Sequence, residues 1–322
     1  MNRRGFIGLA GVAAASSYAV SKLGAKQPPL SEGPARNSAV AVVKSSSYSG
    51  DLVGLMLEGV RACGLDVKGK RVLLKPNLVE FDSTTAINTD PRVVAAAYEV
   101  MQTLGAAEVF IGEGPGHRRD TYDLADEAKY FEAIPKFERL FTDLNRDDVT
   151  AVANFAREPR FYFPNTAMRA DLIVSLAKMK THHWAGATLS MKNFFGVVPG
   201  SVYGWPKNKL HFIGIDDAIV ALNRTFRKKF AIVDGIVGME GNGPIQGRPK
   251  SAGVLVMGSD LVAVDATCCR IMGIDPEKIE YLRLAADMGH VRANRIDQRV
   301  ERVGAVRTPF ELIDRFRGLR LA

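Results

Sequence analysis

The chain has 322 residues, of which 47% are hydrophobic and 24% charged; this ordinary globular composition excludes disorder, collagen-like repeats and a multi-pass membrane protein. Its three cysteines, Cys63, Cys268 and Cys269, form no C-x-x-C pair, so neither a disulfide framework nor a cysteine-ligated iron–sulfur cluster or structural zinc is encoded within it. The formal charge of +8 is spread thinly, with small basic clusters at 224–229 and 315–320 and no interleaved aromatic residues; this argues against a nucleic-acid groove and for attraction to small anions or a membrane surface.

The chain opens Met1-Asn2-Arg3-Arg4-Gly5-Phe6 and then runs apolar to about Val20, with Lys22 beyond. Paired arginines before a mildly apolar stretch of roughly 15 residues, shorter than a spanning helix, predict a twin-arginine signal peptide over 1–25. That predicts export in folded form by the twin-arginine translocation machinery, a periplasmic or other extracytoplasmic location, and membrane contact only through the signal segment. Arg3, Arg4 and Lys22 supply three of the eight excess positive charges, leaving +5 on the remainder. Residues 26–37, rich in Pro, Ser and Gly, read as a linker, and 38–322 as the folded unit.

From there strand-like and helix-like runs alternate. Val40–Val43 is a short apolar strand and 51–63 an amphipathic helix. Val72–Leu74 is a second strand, and Asp90-Pro91 opens a helix to about Leu104. Glu108–Ile111 is a third strand, entering the glycine turn Gly112-Glu113-Gly114-Pro115-Gly116 ahead of another helix. Leu172–Leu176, Phe230–Val233 and Val254–Met257 are further buried strands. Asp260 caps a helix to Met272, and Pro276 starts one to about Met288. The alternation predicts an α/β fold: a mostly parallel sheet with helices on both faces, long enough for two lobes.

In such sheets ligands bind beyond the carboxyl ends of the strands. Lys75 and Asn77 follow one predicted strand, and Gly114 and His117 another. Lys178, Lys180, Thr181 and His182 follow a third, and Asp234 a fourth. Backbone N–H groups of the glycine turn suit a phosphate or carboxylate. Three of the five histidines, His182, His183 and His211, fall in the polar segment 178–211, together with Lys192 and Asn193. Imidazole carries protons near neutral pH and ligates divalent metals; a lysine beside it forms Schiff bases, tethers a cofactor or clamps an anion. Asp265, inside an apolar helix, needs a partner.

Leu73-Leu74-Lys75-Pro76-Asn77, the 178–200 segment with its Lys-Thr-His and Lys-Asn-x-x-Gly elements, Asp234-Gly235 with the 241–247 loop, and Asp260 to Asp265 together resemble the family catalogued as domain of unknown function 362, a label that supplies no reaction. More distantly, His182 or His183, Ala185-Gly186, Lys192, Pro199-Gly200 and Gly116-His117-Arg118 are similar to motifs of lactate racemases that use a nickel-pincer nucleotide. Ser190-Met191 stands where those enzymes have a glycine pair, and their Asp/Arg substrate clamp has no clear counterpart. That second resemblance implies paired proton carriers at His117 and His182, a cofactor held by Lys192, and a metal (nickel or another divalent ion) on His211; His183 is the second candidate ligand.

The combined expectation is an exported enzyme doing metal- or cofactor-assisted proton or hydride transfer on a small carboxylate-like substrate. Its catalytic residues are His117, His182 and Lys192; Lys75, Asn77, Gly114, Lys180 and Asn193 bind the cofactor. The alternative is a non-catalytic envelope protein that binds an anionic ligand or assists an iron–sulfur or redox system.

Overall fold

The structure, a computed structural model, describes residues 30–321; the predicted signal segment lies outside the described residues. Residues 30–37 have no regular structure. They are tied down by Arg295, which donates to the carbonyls of Pro34 and Ala35, and by the His290 ring, 2.8 Å from the carbonyl of Arg36.

The elements that position the site are, in order, strand β1 (Ser38–Lys44), helix α1 (Leu52–Ala62), β2 (Arg71–Lys75), α2 (Pro91–Thr103), β3 (Glu108–Glu113), β4 (Phe141–Asp143), β5 (Val149–Phe155), β6 (Glu158–Pro164), β7 (Leu172–His182), β8 (Gly186–Thr188), α3 (Ile215–Thr225), β9 (Lys229–Asn242), β10 (Gln246–Lys250), β11 (Val254–Gly258), α4 (Leu261–Ile271) and β12 (Ile296–Val300). One continuous sheet of ten strands has the central order β12-β1-β11-β9-β7-β2-β3-β4, with β8 flanking β7 and β10 flanking β9. All strands of that path run parallel except β11. Standing apart from it is the antiparallel hairpin β5–β6, which packs Phe155, Phe161 and Phe163 together in tilted and edge-to-face contacts.

The central strands are apolar on both sides because both sides are covered. Leu73, Ile173, Ala231, Val233 and Val256 face one core with α3 and α4. Their neighbours Val72, Leu74, Val174, Phe230, Ile232 and Leu255 face the other, with α1 and α2. Side chains alternate across a strand, so a one-residue register slip would exchange the two cores, and pairing is fixed accordingly. Asp51, Asp90 and Asp260 cap their helices by accepting backbone N–H groups of the first turn, and Pro91 takes the first helical position.

The helix predicted from Pro276 to Met288 is broken. A 3-10 turn over Pro276–Lys278 gives way to extended Ile279 (φ −83, ψ 117) and a short helix Glu280–Leu284. Ile279 leaves the helical region to bury its side chain against Gly186, so tertiary packing overrides the local pattern. The helix after the glycine turn begins only at Thr121, capped by Asp120.

Candidate functional site

From β2 the chain goes outward to β3 and β4, then returns to lay β7 on the other side of β2 and continues to β9. The helix after β2 covers one face and the helices after β7 the other. The gap between β2 and β7 is therefore the point where the order of strands reverses, and a crevice opens beyond their carboxyl ends. A cavity of about 410 Å³ lies there, lined by Lys75, Asn77, Gly114, His117, Lys180, His182, His183, Lys192, Asn193 and His211 among others. All ten residues expected to be catalytic, cofactor-binding or metal-binding line this one space, whereas Lys178 and Asp234 pair with each other outside it.

The lysines differ in what holds them. Lys75, fully buried at the end of β2, pairs with Glu113 at 2.6 Å and also donates to the Pro76 carbonyl and Asn193 Oδ1. Burial pulls its ammonium pKa down, and Glu113 opposes the shift. Asn193 is the crosspiece: its amide donates to the Lys75 carbonyl and to Ser175 Oγ, pinning the 3-10 helix Lys192–Val197 to the sheet. Asp265, on α4, holds the residues just before that helix, accepting from Ser190 N, Ser190 Oγ and Met191 N. Burial lifts its carboxyl to about 7.

Lys180 donates to Asn77 Oδ1 and to the carbonyls of Ile87 and Pro244, and among the described residues no carboxylate pairs with it directly. Its pKa is driven well down by burial and then by its neighbours Lys192 and Lys178. Lys192 points its Nζ over the Phe195 ring, 4.2 Å from the centroid, and burial brings it to about 8. Lys207 was not among the residues that sequence pattern pointed to. It is buried against the carbonyls of Gly114 and Phe195, and burial brings it to about 7.

Gly114 does not play the part expected of it. It lines the wall, but its N–H donates to Glu113 Oε1 and its carbonyl accepts from Lys207, so no amide is left there for an anion.

The adjacent histidines are set in opposite senses. Nδ1 of buried His182 accepts from the backbone N–H of Trp184 and of Ala185, which places that ring's proton on Nε2. Nδ1 of His183 lies 2.8 Å from the Gly243 carbonyl and must donate to it, leaving a lone pair on Nε2. The two rings stack, 5.0 Å between centroids, so the pair offers the cavity one N–H and one acceptor. Burial, followed by the charge of Lys192, drives the His182 pKa well down; burial lowers His183 too, against its bond to Gly243. His182 in this setting is a hydrogen-bond donor, and His183 is the better proton acceptor, which reverses the expected emphasis. His211 is brought by burial to about 4 and sits edge-on to Trp184, while His117 is exposed at the rim. Nitrogen-15 NMR should find His182 as the Nε2–H tautomer and His183 as the Nδ1–H tautomer, both neutral at pH 7; an imidazolium signal from His182 there refutes this arrangement.

With this geometry the comparisons with known proteins acquire meaning. The family model described as Domain of unknown function (DUF362) matches residues 72–270, more than half of the chain. The chain belongs to the DUF362 family. A relative, the thylakoid-associated protein sll1697 of Synechocystis sp., is 29% identical over 262 residues, covering 78% of this chain and 79% of that protein. Among solved structures, the chain is similar to the lactate racemase apoprotein from Thermoanaerobacterium thermosaccharolyticum (12% identity, TM-score 0.47, 77% of this chain) and to a protein from Thermotoga maritima (16% identity, TM-score 0.37, 65% of this chain). It spans only 59% and 56% of those two chains.

All ten candidate residues lie inside the DUF362 match. Among the described residues no group of three or more His, Cys, Asp or Glu side chains is gathered where it could hold an ion by itself, so His211 or His183 would serve only as one ligand beside those that a bound cofactor brings. The Lys-Asn-x-x-Gly element gains a physical reason: a methyl group on Gly196 would run into Glu113 Oε1 and Lys75 Nζ. Gly196→Ala should destabilise the protein by about 1–3 kcal/mol in urea unfolding, the usual cost of overpacking. A change below ~0.5 kcal/mol would mean the ion pair can move aside.

Proposed function

We propose that this DUF362 protein is an enzyme that draws a small carboxylate-bearing molecule into the β2–β7 cavity and moves a proton on it. The observation that carries this reading is the imbalance of charge around a half-enclosed space. Lys75, Lys180, Lys192 and Lys207 stand around the cavity against Glu113, already paired with Lys75. Buried cations without counter-charges are costly, and a bound anion relieves that cost. Beside them, the His182 Nε2–H can bind an oxygen of the ligand, and the His183 Nε2 can take up or return a proton.

Export by the twin-arginine route belongs to the same proposal. Among the described residues no helix is long and apolar enough to cross a membrane.

The test is thermal unfolding of the full chain with sulfate, acetate or two-carbon and three-carbon oxo and hydroxy acids, followed by proton–deuterium exchange at the ligand carbon by NMR. Stabilisation by anions over matched chloride, with exchange lost in His183→Gln, is the expected result. Anion stabilisation without exchange would leave a binding protein, and no stabilisation at all would remove the reading.

A further inference from the structure

Three of the four cavity lysines already have acceptors for their ammonium protons. Lys75 has a carboxylate, a carbonyl and an amide oxygen; Lys180 has one amide oxygen and two carbonyls; Lys207 has two carbonyls. Lys192 is different. Among the described residues its Nζ has no hydrogen-bond acceptor, lies against the face of Phe195 and opens to the cavity. An ammonium in that position wastes three donors, whereas a free amine wastes none. Lys180 on β7 stands near enough that a charge on either lysine disfavours a charge on the other. The imidazoles of His182 at the end of β7, His183 just beyond it, and His211 on the segment before α3, also feel the Lys192 charge, and His117 lines the rim. Only Asp216, at the start of α3, favours the cation.

We propose that Lys192 is an imine-forming nucleophile and that the molecule it captures is a small oxo acid, an aldehyde or ketone carrying a carboxylate. This deepens the reading above and rests on it. The amine nitrogen forms a bond to the carbonyl carbon, and the π pair moves onto oxygen, which the His182 Nε2–H is placed to receive. A proton passes from nitrogen to oxygen, with His183 Nε2 as carrier, giving a carbinolamine. A second proton, taken up from solvent through His183 Nε2, goes to the hydroxyl, water leaves, and the nitrogen pair forms the C=N bond of a protonated imine. Nothing is oxidised or reduced, and water reverses the step. The neighbouring lysines hold the carboxylate while part of the Lys192 population remains a free amine, two demands that a surface lysine does not meet together. Burial sets the Lys192 amine near 8, so a large fraction is nucleophilic at mildly alkaline pH.

The experiment incubates the full chain with glyoxylate or pyruvate at pH 8 in the presence of cyanoborohydride, then measures intact mass and maps peptides. Hydride from the reagent fixes any imine as a stable secondary amine. One adduct per chain is expected, on the peptide bearing Lys192, formed at least ~100-fold faster than on exposed lysines such as Lys68. Sulfate should slow it, and Lys192→Arg should abolish it. The wild-type peptide map decides even if that variant folds poorly. No adduct, or adducts spread evenly over surface lysines, overturns the proposal. If sulfate still stabilises the protein in that case, the anion site survives and only the covalent step is lost. If sulfate does nothing either, both fall together.

Discussion

Asp234→Ala should destabilise the protein by about 3–5 kcal/mol in urea unfolding, the cost of stranding a buried charge. Asp234 is inaccessible on β9 and accepts from Lys178 Nζ at 2.6 Å, from Tyr48 Oη, and from the backbone N–H groups of Asp90 and Ile236. Alanine leaves the Lys178 ammonium buried with Tyr48 Oη as its remaining partner, and frees the amide at the helix cap Asp90. Burial and the adjacent Asp234 push the Tyr48 hydroxyl upward, so it will not ionise to replace the lost charge. The double variant Lys178→Met/Asp234→Leu should recover most of the loss, because a matched apolar pair removes both desolvation costs. A loss under ~1 kcal/mol for Asp234→Ala alone would show that water reaches Lys178.

That pair illustrates how far the sequence could be read. Polar residues at the ends of apolar runs were legible, because a charged residue ending a buried strand needs a reason. What the pattern could not tell was which of them look into the cavity and which are consumed by each other. Lys178 and Lys180 are two residues apart on β7, yet an irregularity in the β7–β9 register lies between them. One is neutralised by Asp234 and the other left with neutral acceptors. Lys207 was invisible because it arrives from a short irregular stretch between two brief helices, with no periodicity to mark it. The roles of His182 and His183 were equally hidden, since the tautomer of each is set by backbone groups that the turn alone brings near. The alternating strands and helices on both faces followed from composition and pattern. Hairpin β5–β6 and edge strand β12 escaped because half-exposed strands carry little apolar signal.

The affinity for a small anion should weaken steeply as pH rises from 7 to 9. In the free protein, burial holds Lys192 near 8 and Lys207 near 7, so both are losing their protons over this range. A bound anion favours the ammonium forms and raises both values, so binding is accompanied by proton uptake. Each proton taken up lowers affinity by up to about tenfold per pH unit once the free-state pKa has been passed. A fall of at least ~10-fold between pH 7 and 9 is therefore expected for sulfate, measured by titration calorimetry in two buffers of different ionisation enthalpy. The stability of the empty protein has the opposite sign. Lysines depressed in the fold and normal in the unfolded chain leave the unfolded state holding more protons above pH 7, so the empty protein gains stability as pH rises toward 9. The two curves cross: the anion rescues the protein most where the protein alone is weakest. Lys192→Met should make both shallower above pH 8 by the one proton which that amine contributes, leaving the slope due to Lys207. Affinity that stays constant across the range, or a Lys192→Met protein with an unchanged profile, would mean that the anion is held by other groups and that the Lys192 amine stays outside its reach.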